Sequence, residues 1–348
     1  MIFNKTINIQ NKEIKATSPT FVIAEAGVNH GGDMYIAKKL IDLASQAGAD
    51  AVKFQTFKAE HLILDTVKKA PYQQKTTEAT ESQMDMLKKL EVTREQNLEL
   101  KKYCEEKNII FLTTPFDENS LYETDELDLP AYKIASTDTT NLPFLKKVAQ
   151  KGKPIFLSTG MTYLSEIQMA LETMYEFNKD IVLLQCTANY PIRDDEANLA
   201  VIDTFKKHFD VLVGYSDHTV GVGAAAFAIP MGAKVVEKHF TLDKTLEGPD
   251  HKASLSPEEL IEFVKLVRKV DDFMGSSIKK PNLSETKTRA SLQKCIVANV
   301  TISKGEEFTE DNIVAKRTGG KGISPIYYKD IIGTIADKTH KKDELIIL

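Results

Sequence analysis

The feature that most constrains this chain is a repeated alternation. Short runs rich in Val, Ile, Leu and Phe recur eight times, at 21–26 (FVIAEA), 51–56 (AVKFQT), 109–114 (IIFLTT), 131–136 (AYKIAS), 154–159 (PIFLST), 181–187 (IVLLQCT), 211–216 (VLVGYS) and 234–241 (KVVEKHFT). Near-continuous apolar runs of this length fit strands covered on both faces, as in a parallel sheet. The gaps have room for crossover helices. Residues 34–48 place Ile36, Leu40, Ile41 and Ala44 on one stripe and stop at Gly48. Segments 94–107, 142–151, 164–178, 197–208 and 257–273 read likewise. The last opens on Ser256-Pro257-Glu258-Glu259, which supplies a cap, a first-turn proline and two first-turn acids. Eight strand–helix alternations within about 270 residues give the count of an α/β (β/α)8 TIM barrel; a doubly wound open sheet is the alternative.

After Met274 the texture changes. Residues 275–290 (GSSIKKPNLSETKTRA) are polar, with Gly, Pro and Ser, and read as a linker. Short apolar runs return over 291–348, punctuated by Gly305, Gly319, Gly320 and Gly322, as in a small, mostly β domain. The expected organisation is therefore a barrel over 1–274, a linker over 275–290 and a second domain over 291–348.

Composition removes several classes. Against 50 Asp+Glu stand 45 Lys+Arg, a net charge of −5, without the basic excess of a nucleic-acid-binding face. No apolar run reaches the roughly 18 residues of a membrane span, and the N-terminus (MIFNKTINIQNKEIKA) lacks the apolar centre of a signal peptide. Cys104, Cys186 and Cys295 are too few and scattered for a disulfide framework or a Cys-based zinc site. A reducing, cytoplasmic location is the expectation.

In a barrel the strand ends converge on one mouth. Here they carry Glu25, Asn29 and His30; Lys53, Gln55 and Thr56; Thr113 and Thr114; Lys133, Ser136 and Asp138; Ser158, Thr159 and Gly160; Thr187, Asn189 and Tyr190; Ser216, Asp217 and His218; and Glu237, Lys238 and His239. Lys53 and Lys133 lie inside strands, where a charge needs a partner or an anionic ligand. They read as a clamp for phosphate or carboxylate, with Thr114, Ser136, Ser158 and Ser216 as further donors. The plainer alternative is ion pairing with Glu25 or Glu237, and a Schiff-base lysine is a third. His218 and His239 end neighbouring strands and are placed to share one metal; two imidazoles suit Mn, Zn or Fe. Glu25 is a candidate general acid/base. Asp250, in the loop after the eighth run, is placed to fix a substrate hydroxyl, and His251 beside it is a weaker ligand candidate. His30 reads as a solvated loop residue, and His61, His208 and His340 as surface or structural. The polar insert 68–83 is a candidate lid, with Tyr72 and Gln73 as weak ligand candidates.

The strings AEAGVNHGG, VKFQTFKAEHLI, TPFDENS, YKIAS, LSTGM, GYSDHT, VEKHFTLDK and GPDHKASL, in this order on successive strands, resemble the N-acetylneuraminate (sialic acid) synthase family, including its legionaminate and pseudaminate synthase relatives. The resemblance spans essentially the whole chain, the C-terminal part resembling the family's antifreeze-like (SAF) domain. It implies a cytoplasmic, metal-dependent transferase that condenses phosphoenolpyruvate with an N-acetylated hexosamine in open-chain form. The enol C3 attacks the sugar aldehyde, water adds at C2 and phosphate leaves. By this likeness His218 and His239 hold a divalent ion, Mn2+ before Mg2+ or Co2+, and Glu25 handles protons. Lys53, Thr114, Lys133, Ser136, Ser158 and Ser216 bind phosphoenolpyruvate. Gln55, Asp138, Tyr190 and Asp250 face the sugar, and Arg317 reaches the partner's site in a domain-swapped homodimer. Thr137-Asp138 stands where many relatives have a Glu, Thr318 where Pro is common, and Ala188 where some members are polar. N-acetylmannosamine is the favoured sugar, giving N-acetylneuraminate. The alternative is 2,4-diacetamido-2,4,6-trideoxymannose, giving N,N'-diacetyllegionaminate, with pseudaminate synthesis behind both. Two other classes compete: a pyruvate aldolase using Lys53 or Lys133, and a non-catalytic antifreeze-like binding protein on a decayed barrel.

Overall fold

In a computed structural model, which describes residues 1–71, 73–78 and 80–347, all eight apolar runs are strands. A preceding hairpin takes the labels β1 (Thr6–Ile9) and β2 (Lys12–Lys15). The barrel strands are β3 (Phe21–Gly27), β4 (Ala51–Thr56), β5 (Ile110–Pro115), β6 (Tyr132–Ile134), β7 (Ile155–Ser158), β8 (Ile181–Cys186), β9 (Leu212–Asp217) and β10 (Val235–His239). They form one parallel sheet in the order β5-β4-β3-β10-β9-β8-β7-β6. The first and last barrel strands, β3 and β10, pair in parallel and close the ring. Among the described residues no ladder joins β5 to β6, so the barrel has a seam there.

Two compact units result, Met1–Gly275 and Ser276–Leu348. Among the described residues no helix is long and apolar enough to cross a membrane. The stretch read as linker holds a turn of 3-10 helix at Leu283–Glu285 and a helix from Thr286 to Leu292. In the second unit β11 (Lys294–Ala298) and β12 (Ile313–Arg317) pair antiparallel over a small core that includes Ile296, Ile302, Phe308, Ile331 and Ile346. His340 is buried there, its ring against Phe308.

Strand side chains alternate between faces, and even these near-continuous apolar runs obey that period. Val22, Val52, Phe111, Leu157, Leu183, Val213 and Val236 face outward onto the helices. Phe21, Ile23, Ala51, Leu112, Phe156, Val182, Leu184 and Val235 fill the lower barrel. At Gly214 an added Cβ would stand 2.5 Å from Leu184 and from the Val235 carbonyl, so only glycine fits that layer.

The hairpin β1–β2 was not anticipated. Each strand is four residues long, too short for a periodic signal. Its Ile7, Ile9 and Ile14 join the lower barrel cluster, so the hairpin plugs the floor. The expected helices form at Met34–Ala47, Arg94–Glu106, Leu142–Ala149, Leu164–Tyr175, Val201–Phe209 and Pro257–Met274. Two more, Glu118–Asp125 and Gly223–Met231, were not expected. The second carries Pro230 and is apolar without a stripe, so periodicity could not reveal it.

Candidate active site

The layer above the apolar floor is charged. Glu25, Lys53, Lys133 and Glu237 all point into the barrel, where they line one cavity of about 490 Å³. Lys53 Nζ lies 2.8 Å from Glu25 Oε2 and 3.7 Å from Glu237 Oε2, and donates to Thr114 Oγ1 at 2.9 Å. Lys133 Nζ lies 3.6 Å from Glu237 Oε1. The ion pairs read from the sequence as the plainer alternative are therefore formed, and both ammonium groups line one cavity. Glu237 takes a hydrogen bond from Ser216 Oγ at 2.9 Å. Ser136 Oγ accepts from the Gly160 amide at 2.9 Å, and Ser158 Oγ is buried with no hydrogen-bond partner among the described residues. Burial pushes the Glu25 carboxyl up to about 7 although Lys53 pulls it down. Burial also lowers Lys133, with Glu237 opposing.

His218 and His239 end β9 and β10 with ring centroids 5.6 Å apart. The Nδ1 of His218 sits 2.8 Å from the Thr187 carbonyl, which fixes that nitrogen as the donor and leaves Nε2 toward the cavity. His239 Nδ1 is buried without a hydrogen-bond partner among the described residues. Burial, then the charges on His218 and Lys53, hold His239 well below its ordinary pKa, in the neutral form that metals bind. Burial opposes charge on His218 too, but the Cys186 thiol beside it raises the group overall. A cation on Nε2 would take the place of that proton. Among the described residues no group of three or more His, Cys, Asp or Glu is placed to hold a metal. Two imidazoles, one with an orphaned buried nitrogen, fit a divalent ion that would keep room for substrate and water, as in catalytic rather than structural sites.

Above the imidazoles, Tyr190 packs on both rings, with centroids 4.1 Å from His218 and 5.4 Å from His239. Asp250 Oδ2 lies 3.9 Å from His239 Nδ1, and burial drives its carboxyl up to about 6. Its loop is pinned from β3. Asn29 Nδ2 donates to the Phe240 carbonyl at 2.8 Å and to Ser254 Oγ at 2.9 Å, and Ser254 donates to the Asp250 carbonyl at 2.7 Å. His251 turns away to Thr241 at 2.7 Å. Gln55 donates to Glu25 at 3.3 Å.

Part of the insert 68–83 does reach the cavity, through Ala70, Gln73 and Gln83. It folds around Lys69, whose ammonium donates to Thr77 Oγ1, the Glu78 carbonyl and Glu81 at 2.8–3.0 Å. Tyr72 lies outside the described residues.

One sugar-facing expectation finds no support in the cavity lining. Asp138 does not line it. Its carboxylate is taken up within its own turn by Asn141 Nδ2 at 3.1 Å and Thr137 Oγ1 at 3.2 Å, and Thr137 lines the cavity instead. Arg317 ends β12 in the second unit, exposed. Conversely, Glu237 and Cys186 belong to the lining without having been chosen as site residues. An acid between two valines and a lysine on a buried strand was the available signal for Glu237. Cys186 carried none, yet its Sγ lies 3.8 Å from His218 Nδ1.

His30 is not solvated. It is 3% exposed, its Nδ1 accepts from the Gly32 amide at 3.0 Å, and its ring lies near Phe54. Burial lowers its pKa from 6.5 to about 4. The unfolded chain therefore binds the extra proton between those values, and stability falls as pH drops from 6.5 toward 4. Relative to His30→Phe, the wild type should lose about 3 kcal/mol across that window in urea titrations. Parallel pH profiles of the two proteins would refute this.

Residues 40–279 match the NeuB family and residues 293–346 the SAF domain. The chain is 48% identical over 330 residues to the N,N'-diacetyllegionaminic acid synthase of Campylobacter jejuni, across 94% of this chain and 98% of that one. It is 36% identical to the N-acetylneuraminate-9-phosphate synthase of Homo sapiens, across 94% and 92%. Among solved structures, the N-acetylneuraminic acid synthetase of Leptospira borgpetersenii is 34% identical with a TM-score of 0.73, covering 84% of this chain and 98% of its own. A charged cavity of this make-up, on a barrel that matches over its main length, places the chain in the NeuB family, the phosphoenolpyruvate-dependent sialic acid synthases, with a SAF domain at its C-terminal end.

Proposed function

We propose that this chain is an N,N'-diacetyllegionaminate synthase, joining phosphoenolpyruvate to 2,4-diacetamido-2,4,6-trideoxymannose and water with release of phosphate. The observation that carries the general chemistry is the convergence of two buried lysines, two carboxylates and two imidazoles on one cavity. The choice of sugar rests on the 48% identity to a legionaminic acid synthase against 36% to a neuraminate 9-phosphate synthase. It replaces the N-acetylmannosamine reading favoured from the sequence.

In this reading Lys53 and Lys133 hold the phosphate and carboxylate, with Thr114, Ser136, Ser158 and Ser216 adding hydroxyl contacts. The bond forms between C3 of the enol and the aldehyde carbon, leaving an alkoxide on the sugar and a cationic C2. Water adds to C2, and its proton passes to the alkoxide. The resulting C2 hydroxyl gives its proton to the departing phosphate as the C–O bond breaks. Glu25, raised to about 7 by burial, is suited to take and return a proton between these oxygens near neutral pH. Gln55, Tyr190 and Asp250 orient the sugar. His218 and His239 would hold the divalent ion on which the family depends, Mn2+ being the best match to two imidazoles, and the ion would polarise the aldehyde. Arg317 is assigned to the active site of a second subunit, in a domain-swapped homodimer.

The test is phosphate release with Mn2+ and each sugar. The diacetamido sugar should exceed N-acetylmannosamine in kcat/KM by at least about tenfold, the range one pocket contact supplies. Equal rates, or the reverse order, would remove the legionaminate reading, and no release with either would remove the synthase.

A further inference from the structure

One wall of the cavity plays no part in the chemistry above. Val28, Phe57 and Leu90 are buried in a small apolar cluster of their own, with Leu87 and Phe116 packed against it. All five line the same cavity as the lysines and imidazoles, and Met86 lines it beside them. The helix Gln83–Lys88 brings Met86 and Leu87 there directly after the polar insert. The charged side chains are tied to one another elsewhere in the lining, Lys53 to Glu25 and Glu237 and Lys133 to Glu237, so the cavity has a charged end and an apolar end.

We infer that this shoulder is the subsite for the C6 end of the sugar and that Met86 and Leu87 select a 6-deoxy substrate. The inference rests on the proposed function for the direction in which the sugar lies. The aldehyde must meet the enol at the charged end, so the far end of an open-chain hexose extends away from the lysines. There a C6 methyl gains contact with apolar side chains. A C6 hydroxyl packed on Val28, Phe57, Met86 and Leu87 would meet side chains that carry no hydrogen-bonding group, at the cost that attends an unpaired buried polar group. An apolar shoulder inside a charged site thus acts as a filter for a deoxygenated carbon.

Two matched pairs test this. One is 2,4-diacetamido-2,4,6-trideoxymannose against its 6-hydroxy counterpart; the other is 6-deoxy-N-acetylmannosamine against N-acetylmannosamine. The full-length enzyme should prefer the deoxy member of each pair by about 10-fold or more in kcat/KM. Met86→Gln should shrink that ratio about tenfold, leaving the KM for phosphoenolpyruvate within twofold, and Met86→Leu should keep it. Leu87→Asn, at a half-buried position, serves as a second variant should Met86→Gln melt early. An unchanged ratio in a well-folded variant would overturn the inference. So would a wild-type preference for the hydroxylated members, or a loss of discrimination at C4 rather than C6. Should the wild type use only N-acetylated sugars without the second amide, the legionaminate reading fails. The second pair still decides the role of the shoulder.

Discussion

Lys53→Met should lower kcat/KM for phosphoenolpyruvate by about 10³-fold, the scale seen when a preorganised charge-stabilising donor is lost. Lys53 is 3% exposed and touches Glu25, Glu237 and Thr114 of the polar layer. Breaking a buried ion pair by removing one partner costs about 3–5 kcal/mol, so inactivity alone would not distinguish a lost clamp from a lost fold. Glu25 softens that cost, because burial already brings its carboxyl up to about 7 and a proton can replace the ammonium. The double variant Lys53→Met/Glu25→Gln should melt closer to the wild type than Lys53→Met does and remain inactive. Calorimetry with phosphoenolpyruvate should show weakened binding in both. Binding within threefold of wild type would take Lys53 out of the clamp. Borohydride with pyruvate should leave the wild type active, since two carboxylates keep Lys53 protonated; covalent trapping at Lys53 or Lys133 would favour the aldolase class.

The second large effect is expected at His239. His239→Ala should weaken Mn2+ binding by at least about 100-fold, beyond the loss typical of groups that merely support a ligand, and reduce turnover to below about 1%. Electron paramagnetic resonance of free Mn2+ reads the binding independently of activity. The melting temperature should move little, because the ring gives up a nitrogen that no described residue hydrogen-bonds. His251→Ala is the control. That ring is equally buried but bonded to Thr241, outside the imidazole pair, and metal affinity should persist. Normal Mn2+ binding by His239→Ala would dissolve the paired-imidazole assignment.

How far the sequence could be read depended on the length of each signal. Apolar runs of the six to eight residues counted here, eight times over, specify a barrel, and the strands lie within a residue or two of them. The β1–β2 hairpin offers four residues per strand, and the helix Gly223–Met231 is apolar on every side, so neither has a period to detect. Inside the site, strand alternation carries Lys53, Lys133, Glu25 and Glu237 to one cavity. Loop and turn residues escape such reasoning. Asp138 follows strand β6 in sequence, but the 3-10 turn Ser136–Asp138 directs its carboxylate to Asn141. His30, in a loop full of glycine, is covered by packing that no local pattern announces.

The hairpin under the barrel has a kinetic consequence. Ile7, Ile9 and Ile14 close the lower end with a continuous apolar layer. Among the described residues the lower end is thus filled, which leaves the strand-end mouth for ligands to enter. Under the proposed reaction, an anion held by Lys53 and Lys133 just above this floor would enter before the sugar, and inorganic phosphate would leave after the sugar acid.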